Sequence, residues 1–271
     1  MKLGLSLPNF RDDPEPMLAV ARAAEAAGLD GVFGFDHLFR RSATGELRPA
    51  LEGLTMLGAV AAETSRIALG PLVARATLRP AATLATALDT LHRVSHGRLI
   101  ATIGAGDEES REEMESFGLG FGDVDDRLRA LAAAVDRSRG HDFPVWVGGT
   151  IGAVRDLAAR RADGWNRWGG SVERFAQQSA RVHEVAGARP FTVSWGGLVV
   201  LGESEAAADK KRTELNPGSS VLVGGPERVA EALQAYGDAG ADWVVVGPID
   251  SSDPDNASVL GELVQPLLTS S

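Results

Sequence analysis

Short apolar runs alternate along the whole chain with longer stretches in which apolar positions recur every three or four residues. The run 2–7 precedes an amphipathic segment 15–27, closed by Gly28 where a helix C-terminus favours glycine. Residues 31–35 read as the next strand and 51–63 as a helix. A third strand, 66–73, leads to a helix begun by Pro80, whose missing N–H costs nothing in a first turn. The run 97–103 is a fourth strand, followed by helical stretches at 108–117 and 125–139. Strand 143–147 is trailed by helix 153–161, strand 164–168 by helix 172–186, and strand 191–201 by helix 203–215. Helix 226–239 leads into strand 241–246 and a terminal helix at 258–268.

Eight strands thus alternate with helices, and most strand cores are nearly continuous Val, Ile, Leu and Gly. Strands buried on both faces form parallel sheets, and eight such units in about 250 residues is the size of a closed (β/α)8 TIM barrel. An open doubly wound sheet wants a Gly-x-Gly-x-x-Gly turn after its first strand, whereas the first run here ends Leu7-Pro8-Asn9-Phe10. No linker-like boundary interrupts residues 1–271, so one barrel domain is expected, with 40–49 and 216–220 as loops. With 44% hydrophobic and 24% charged residues the chain supports a packed core. A formal net charge of -10 and the lack of any basic run longer than three residues argue against nucleic-acid and membrane-surface partners. There is no cysteine, which removes thiol nucleophiles, disulfides and thiolate metal sites, and no apolar run long enough to span a membrane; a cytoplasmic location is the expectation.

In a barrel the chemistry is built at the carboxyl ends of the strands, and polar residues and glycines gather there. Asp36-His37 follows the second strand. A histidine exchanges protons near neutral pH and a neighbouring carboxylate can orient it; the structural alternative is a pair that caps the next segment. Gly104-Ala105-Gly106-Asp107 opens into an acidic helix start, and Gly148-Gly149-Thr150 links a strand to a helix with no negative charge, either a phosphate cradle or a plain tight turn. Trp165, Trp168 and Trp195 flank strand ends, as pocket wall or as core. His92 and His96 share a helix at i,i+4 but lack a third ligand, so no metal is expected; His141 and His183 read as surface positions.

These strings, in this order, resemble the luciferase-like monooxygenase superfamily, in its branch using the deazaflavin coenzyme F420. The matching stretches are 24–34 before Asp36-His37, 63–70, Arg79-Pro80 leading to 88–91, 95–99 into Gly104-Ala105-Gly106, 144–149, 158–166, and Gly225-Pro226-Glu227 to 240–242. The resemblance implies a (β/α)8 barrel in which His37 is the proton donor or base beside the coenzyme ring and Asp36 a coenzyme contact. It implies a non-prolyl cis peptide at Leu72-Val73 backing the ring, further contacts at Arg75, Ala105, Gly106 and Ser110, and phosphate-side contacts at Gly148, Gly149, Ala153 and Val154. Asp107 falls where the sugar-phosphate dehydrogenase branch has a catalytic glutamate. Arg41 replaces that branch's active-site tryptophan and Ser171 its phosphate-binding lysine, which makes glucose 6-phosphate a poor expectation; the short 40–49 loop suggests an open mouth. The function so implied is hydride transfer between F420 and a small organic substrate. FMN-dependent oxygenation on the same scaffold and a coenzyme-binding barrel without turnover are the alternatives. Family members are often dimers, and the 51–63 face would serve a homodimer.

Overall fold

The computed structural model describes residues 1–41 and 45–268. In chain order its strands are β1 (Lys2–Ser6), β2 (Gly31–Gly34), β3 (Phe39–Arg41), β4 (Leu47–Pro49), β5 (Ala68–Pro71) and β6 (Ala74–Arg75). They continue as β7 (Ala101–Gly104), β8 (Val145–Gly148), β9 (Gly164–Trp168), β10 (Thr192–Leu201), β11 (Leu222–Gly224) and β12 (Trp243–Pro248). Neighbours run β5-β2-β1-β12-β10-β9-β8-β7-β6, every pair parallel. β5 and β6 are two parts of one strand parted by Leu72 and Val73, whose peptide bond is cis. The ring closes where the Leu69 N–H donates to Arg98 O at 3.1 Å and the Ile100 N–H to Leu69 O at 2.9 Å. Counted that way, eight strands make a parallel (β/α)8 barrel.

The helices that return the chain are α1 (Glu15–Ala26), α2 (Gly53–Glu63), α3 (Ala81–Val94), α4 (Arg111–Ser116) and α5 (Val124–Ser138). After them come α6 (Gly152–Arg161), α7 (Val172–Ala186), α8 (Glu205–Leu215), α9 (Pro226–Asp238) and α10 (Asp255–Ser258). Their starts carry the expected chemistry: Asp123 and Asp126 form a capping box on α5, and Ser171 and Ser204 accept first-turn N–H groups of α7 and α8. Among the described residues no helix is long and apolar enough to cross a membrane.

Strand alternation splits the core in two. One set of side chains, including Leu3, Leu5, Val32, Trp165 and Trp195, faces outward to the helices. The other fills the barrel's interior: Phe33, Leu72, Ile100, Trp146, Trp243 and Val245. Three of these rings pack at centroid distances of 5.9 to 6.4 Å, so the interior is a plug of aromatic side chains.

Three segments differ from the pattern-based expectation. Residues 40–49 are not a plain open loop, because β3 and β4 pair antiparallel into a hairpin; residues 42–44 of that segment lie outside the described residues. β11 is an extra strand that pairs with Val199–Leu201, where β10 runs on past the end of β9; three apolar residues carry too little periodicity to reveal it. The terminal helix is three consecutive pieces, α10, a π-turn at Val259–Val264 and a 3₁₀ turn at Gln265–Leu267 that begins ahead of Pro266.

The closing seam leaves no room for a side chain on Gly70, since a Cβ there would lie 1.9 Å from Ile100 O. Gly70→Ala is therefore expected to lower unfolding free energy by about 1–3 kcal/mol, measured by urea denaturation. Gly58→Ala, in the middle of α2 with nothing near its Cβ position, is expected to raise it by about 0.5–1 kcal/mol.

Candidate active site

The carboxyl end of the barrel holds one connected set of charged groups. Its centre is Glu113, on α4, a buried carboxylate at 3% exposure among exposed acids on the same segment. Arg75, at the end of β6, grips it through both terminal nitrogens at 2.8 and 2.7 Å. The backbone N–H groups of Leu38 and Phe39 also donate to it. His37 Nδ1 lies 3.0 Å from its Oε2. Burial alone would discourage ionisation of Glu113. The hydrogen bonds from His37 and Leu38 and the charges of His37 and Arg75 outweigh it and hold the carboxyl at about 2.

A carboxylate can only accept, so the hydrogen between the two groups belongs to Nδ1 of the imidazole. Neutral His37 then keeps its lone pair on Nε2, the nitrogen available to exchange a proton with a substrate. The orienting acid is thus Glu113 and not the adjacent Asp36. Asp36 is 1% exposed, with its carboxylate held by Arg79 at 2.7 and 2.9 Å and by the Arg75 N–H at 2.9 Å. Arg75, 3% exposed, also returns its Nε–H to Asp36 O at 2.7 Å. Burial opposes the charge on Arg79, and its bonds to Asp36 and Glu52 more than offset that, so it stays a cation. The Asp36 carboxylate is thus engaged by Arg79 and the Arg75 backbone, and the Arg75 side chain by Glu113 and the Asp36 carbonyl.

Beside this cluster the inner wall is stripped to glycine. Arg75 pairs in register with Gly104 and Gly104 with Gly148, which puts His37, Glu113, Arg75 and the Gly148 turn along one stretch of rim. Val73 projects between the two glycines: a Cβ on Gly104 would come within 2.4 Å of its side chain and one on Gly148 within 2.3 Å. Across the mouth Trp168 lies over Gly196 and Gly247, where added Cβ atoms would meet its ring at 2.5 and 3.3 Å. Trp168 is the tryptophan that walls the mouth. Trp165 stacks on Phe175 and Trp195 on Tyr236, both in the layer under the helices.

The other expected site residues fall around the same rim with distinct duties. Asp107 caps the 3₁₀ turn Glu108–Ser110, accepting from the N–H and the hydroxyl of the buried Ser110 at 3.2 and 3.0 Å. Ala105 and Gly106 form the bend between β7 and that turn, and Gly106 has φ +74°. Gly149 cannot offer its N–H to a ligand, because that group donates to Asn166 O at 3.1 Å. The neighbouring start of α6, with Ala153 and Val154, carries no side-chain cap, so the first-turn amides there are the anion-ready groups. Arg41 is an exposed staple from the hairpin to Glu112, and Ser171 caps α7. Sequence reasoning missed Glu113. The available signal was Arg75 itself, since an arginine at a strand end inside a barrel demands a carboxylate partner.

Glu113→Gln leaves the Arg75 guanidinium buried opposite a neutral group, an expected loss of about 3 kcal/mol of stability by denaturant unfolding. Because the folded-state pKa lies below the ordinary value of 4.5, at about 2, the stabilisation from Glu113 is complete above 4.5 and disappears as pH falls through that window. The wild-type protein is expected to lose stability more steeply than the Gln variant over that interval.

The chain is 37% identical over 136 residues to an F420-dependent glucose-6-phosphate dehydrogenase of Beutenbergia cavernae, a match covering 50% of this chain and 39% of that protein. It is 31% identical over 179 residues to the protein of the same name from Nakamurella multipartita, covering 56% and 51%. The matches therefore span about half or less of these relatives' lengths. Among solved structures, an F420-dependent secondary alcohol dehydrogenase in complex with an F420-acetone adduct superimposes with a TM-score of 0.81 at 14% identity, over 99% of both chains. The luciferase-like monooxygenase family model matches residues 1–220, and the chain belongs to that family.

Proposed function

We propose that this barrel is an oxidoreductase that moves a hydride between the deazaflavin coenzyme F420 and a small organic substrate. The observation that carries the reading is His37, held through Nδ1 by the buried carboxylate of Glu113, with Nε2 bonded to no group among the described residues, on the rim next to the glycine-lined wall of Gly104 and Gly148. The names of the curated relatives support the choice of F420 over FMN.

The residues present fit such a group. Val73, seated in the gap left by two glycines, offers an apolar support for a flat ring, as Leu72 and Val73 do by resemblance. Ala105 and Gly106 bring backbone to the rim, with Ser110 and its cap Asp107 beneath them. The uncapped start of α6 at Ala153 and Val154, next to the Gly148-Gly149 turn, offers amides to a phosphate. When bound, the deazaflavin accepts or donates a hydride and confines the chemistry to two-electron steps. His37 Nε2 takes the proton that accompanies the hydride or returns it, and Glu113 stabilises the imidazolium this produces. Asp36, Arg75 and Arg79 keep the loop that carries His37 in register with α4, which carries Glu113. Asp107 stands at the rim as a second acid, shared with its capping role.

Titration of the purified protein with F420 and with FMN, followed by fluorescence, separates the two coenzymes; saturable binding of F420 is the expected result, and binding of FMN alone contradicts the reading. His37→Ala is expected to keep the fold and F420 affinity while reducing turnover by about 10²-fold or more. Undiminished turnover in that variant would remove His37 from the chemistry.

A further inference from the structure

The hairpin beside the mouth has two unlike faces. Phe39 and Arg41 turn toward α4, where Phe39 stacks on Phe117 at 6.4 Å and the Arg41 Nε–H donates to Glu112 at 2.8 and 3.0 Å. Arg40 and Arg48 stand opposite one another in the antiparallel register, so they share the other face. That face turns to the loop after β1. The Arg40 guanidinium lies over the Phe10 ring at 5.5 Å, and Phe10 in turn lies 5.5 Å from the His37 ring.

Like charges directly across a strand pair repel unless an opposite charge stands between them. The acids of this quarter are already engaged: Asp36 and Glu52 with Arg79, Glu113 with Arg75, and Glu112 with Arg41. Neither Arg40 nor Arg48 forms an ion pair with a carboxylate among the described residues, and Glu46, just ahead of β4, is one acid against these two cations. In a chain of net charge -10, the charge is thus inverted locally, next to the residue that exchanges the proton.

The donors also select the anion. A phosphate ordinarily recruits backbone amides. Here those of Leu38 and Phe39 are given to Glu113, and that of Ala50 to Leu38 O at 3.3 Å. What remains is the guanidinium forks, whose paired N–H groups match the two oxygens of a planar carboxylate. The Phe10 ring lies between, so the His37 ring centre and the Arg40 guanidinium carbon are no more than twice 5.5 Å apart. A small molecule spans that distance.

We infer that Arg40 and Arg48 bind a carboxylate of the substrate, and that the substrate is a small organic acid whose reacting atom lies within that span of its carboxylate. The reaction at His37 rests on the F420 oxidoreductase reading; the anion site rests on the hairpin.

The test uses the whole protein, with and without F420, and three probes of one shape: benzoate, benzamide and phenyl phosphate. Saturation-transfer NMR reads binding, and the ¹⁵N resonances of His37 in protein with labelled histidine read its place. Benzoate is expected to bind saturably and to shift the His37 resonances, with benzamide at least about tenfold weaker. Arg40→Gln is expected to weaken benzoate by about tenfold, Arg48→Gln to act in the same direction, and Arg40→Lys to recover part of the loss, with the circular dichroism of the fold unchanged. Equal binding of benzamide, or preference for phenyl phosphate, overturns the inference. So does benzoate binding that Arg40→Gln leaves unaltered or that leaves His37 unmoved. Failure to bind F420, with benzoate still bound through Arg40, overturns the coenzyme reading and leaves the carboxylate site standing.

Discussion

Everything at the mouth of this barrel depends on one buried negative charge. Glu113 is removed from water, and its ionised form survives because two guanidinium nitrogens, two backbone amides and an imidazole converge on it. Those donors come from two parts of the chain: Arg75 from the split third barrel strand, and the consecutive residues His37, Leu38 and Phe39 from the stretch that leads from β2 into the hairpin. One carboxylate therefore ties both segments to α4 at once, and the tautomer of His37 follows from the same contact. Asp36 repeats the arrangement one residue earlier, binding Arg79 and the backbone of Arg75. The two acids make adjacent residues, 36 and 37, diverge: one side chain is buried as a tie and the other is left half-buried at the rim.

The barrel supplies the empty space by an uneven distribution of bulk along its axis. Phe33, Trp146 and Trp243 crowd the interior, while the inward positions nearer the carboxyl ends, Gly104, Gly148, Gly196 and Gly247, have no side chain. Val73 and Trp168 occupy part of the room so created and give it two unlike sides, one next to the amides of α6 and the charged cluster, the other aromatic. A dense plug under a glycine-lined mouth fixes the depth to which a planar molecule can enter.

Much of this was legible in the residues. The β-branched runs and their amphipathic followers located the eight barrel strands, because a strand buried on both faces leaves little ambiguity in composition. The glycines at strand ends and the Asp36-His37 pair marked the correct rim. What escaped is instructive. Glu113 lies in a segment of five glutamates, and only tertiary packing distinguishes it from Glu112, which meets Arg41 at the surface. The orienting acid was sought next in sequence to His37 when it lay 76 positions away. The tryptophans could not be sorted by position alone, since the inward or outward sense of β9 and β10 decides that Trp168 lines the mouth while Trp165 and Trp195 are core.

The most direct measurement is the protonation pattern of the His37 ring, read by long-range ¹H–¹⁵N correlation NMR on protein with labelled histidine, at a pH above the ordinary imidazole range. Because Glu113 accepts at Nδ1, the neutral ring should carry its hydrogen on Nδ1 and leave Nε2 bare. A neutral His37 protonated on Nε2 would mean that Glu113 does not hold the ring, and the site as described here would be wrong at its centre.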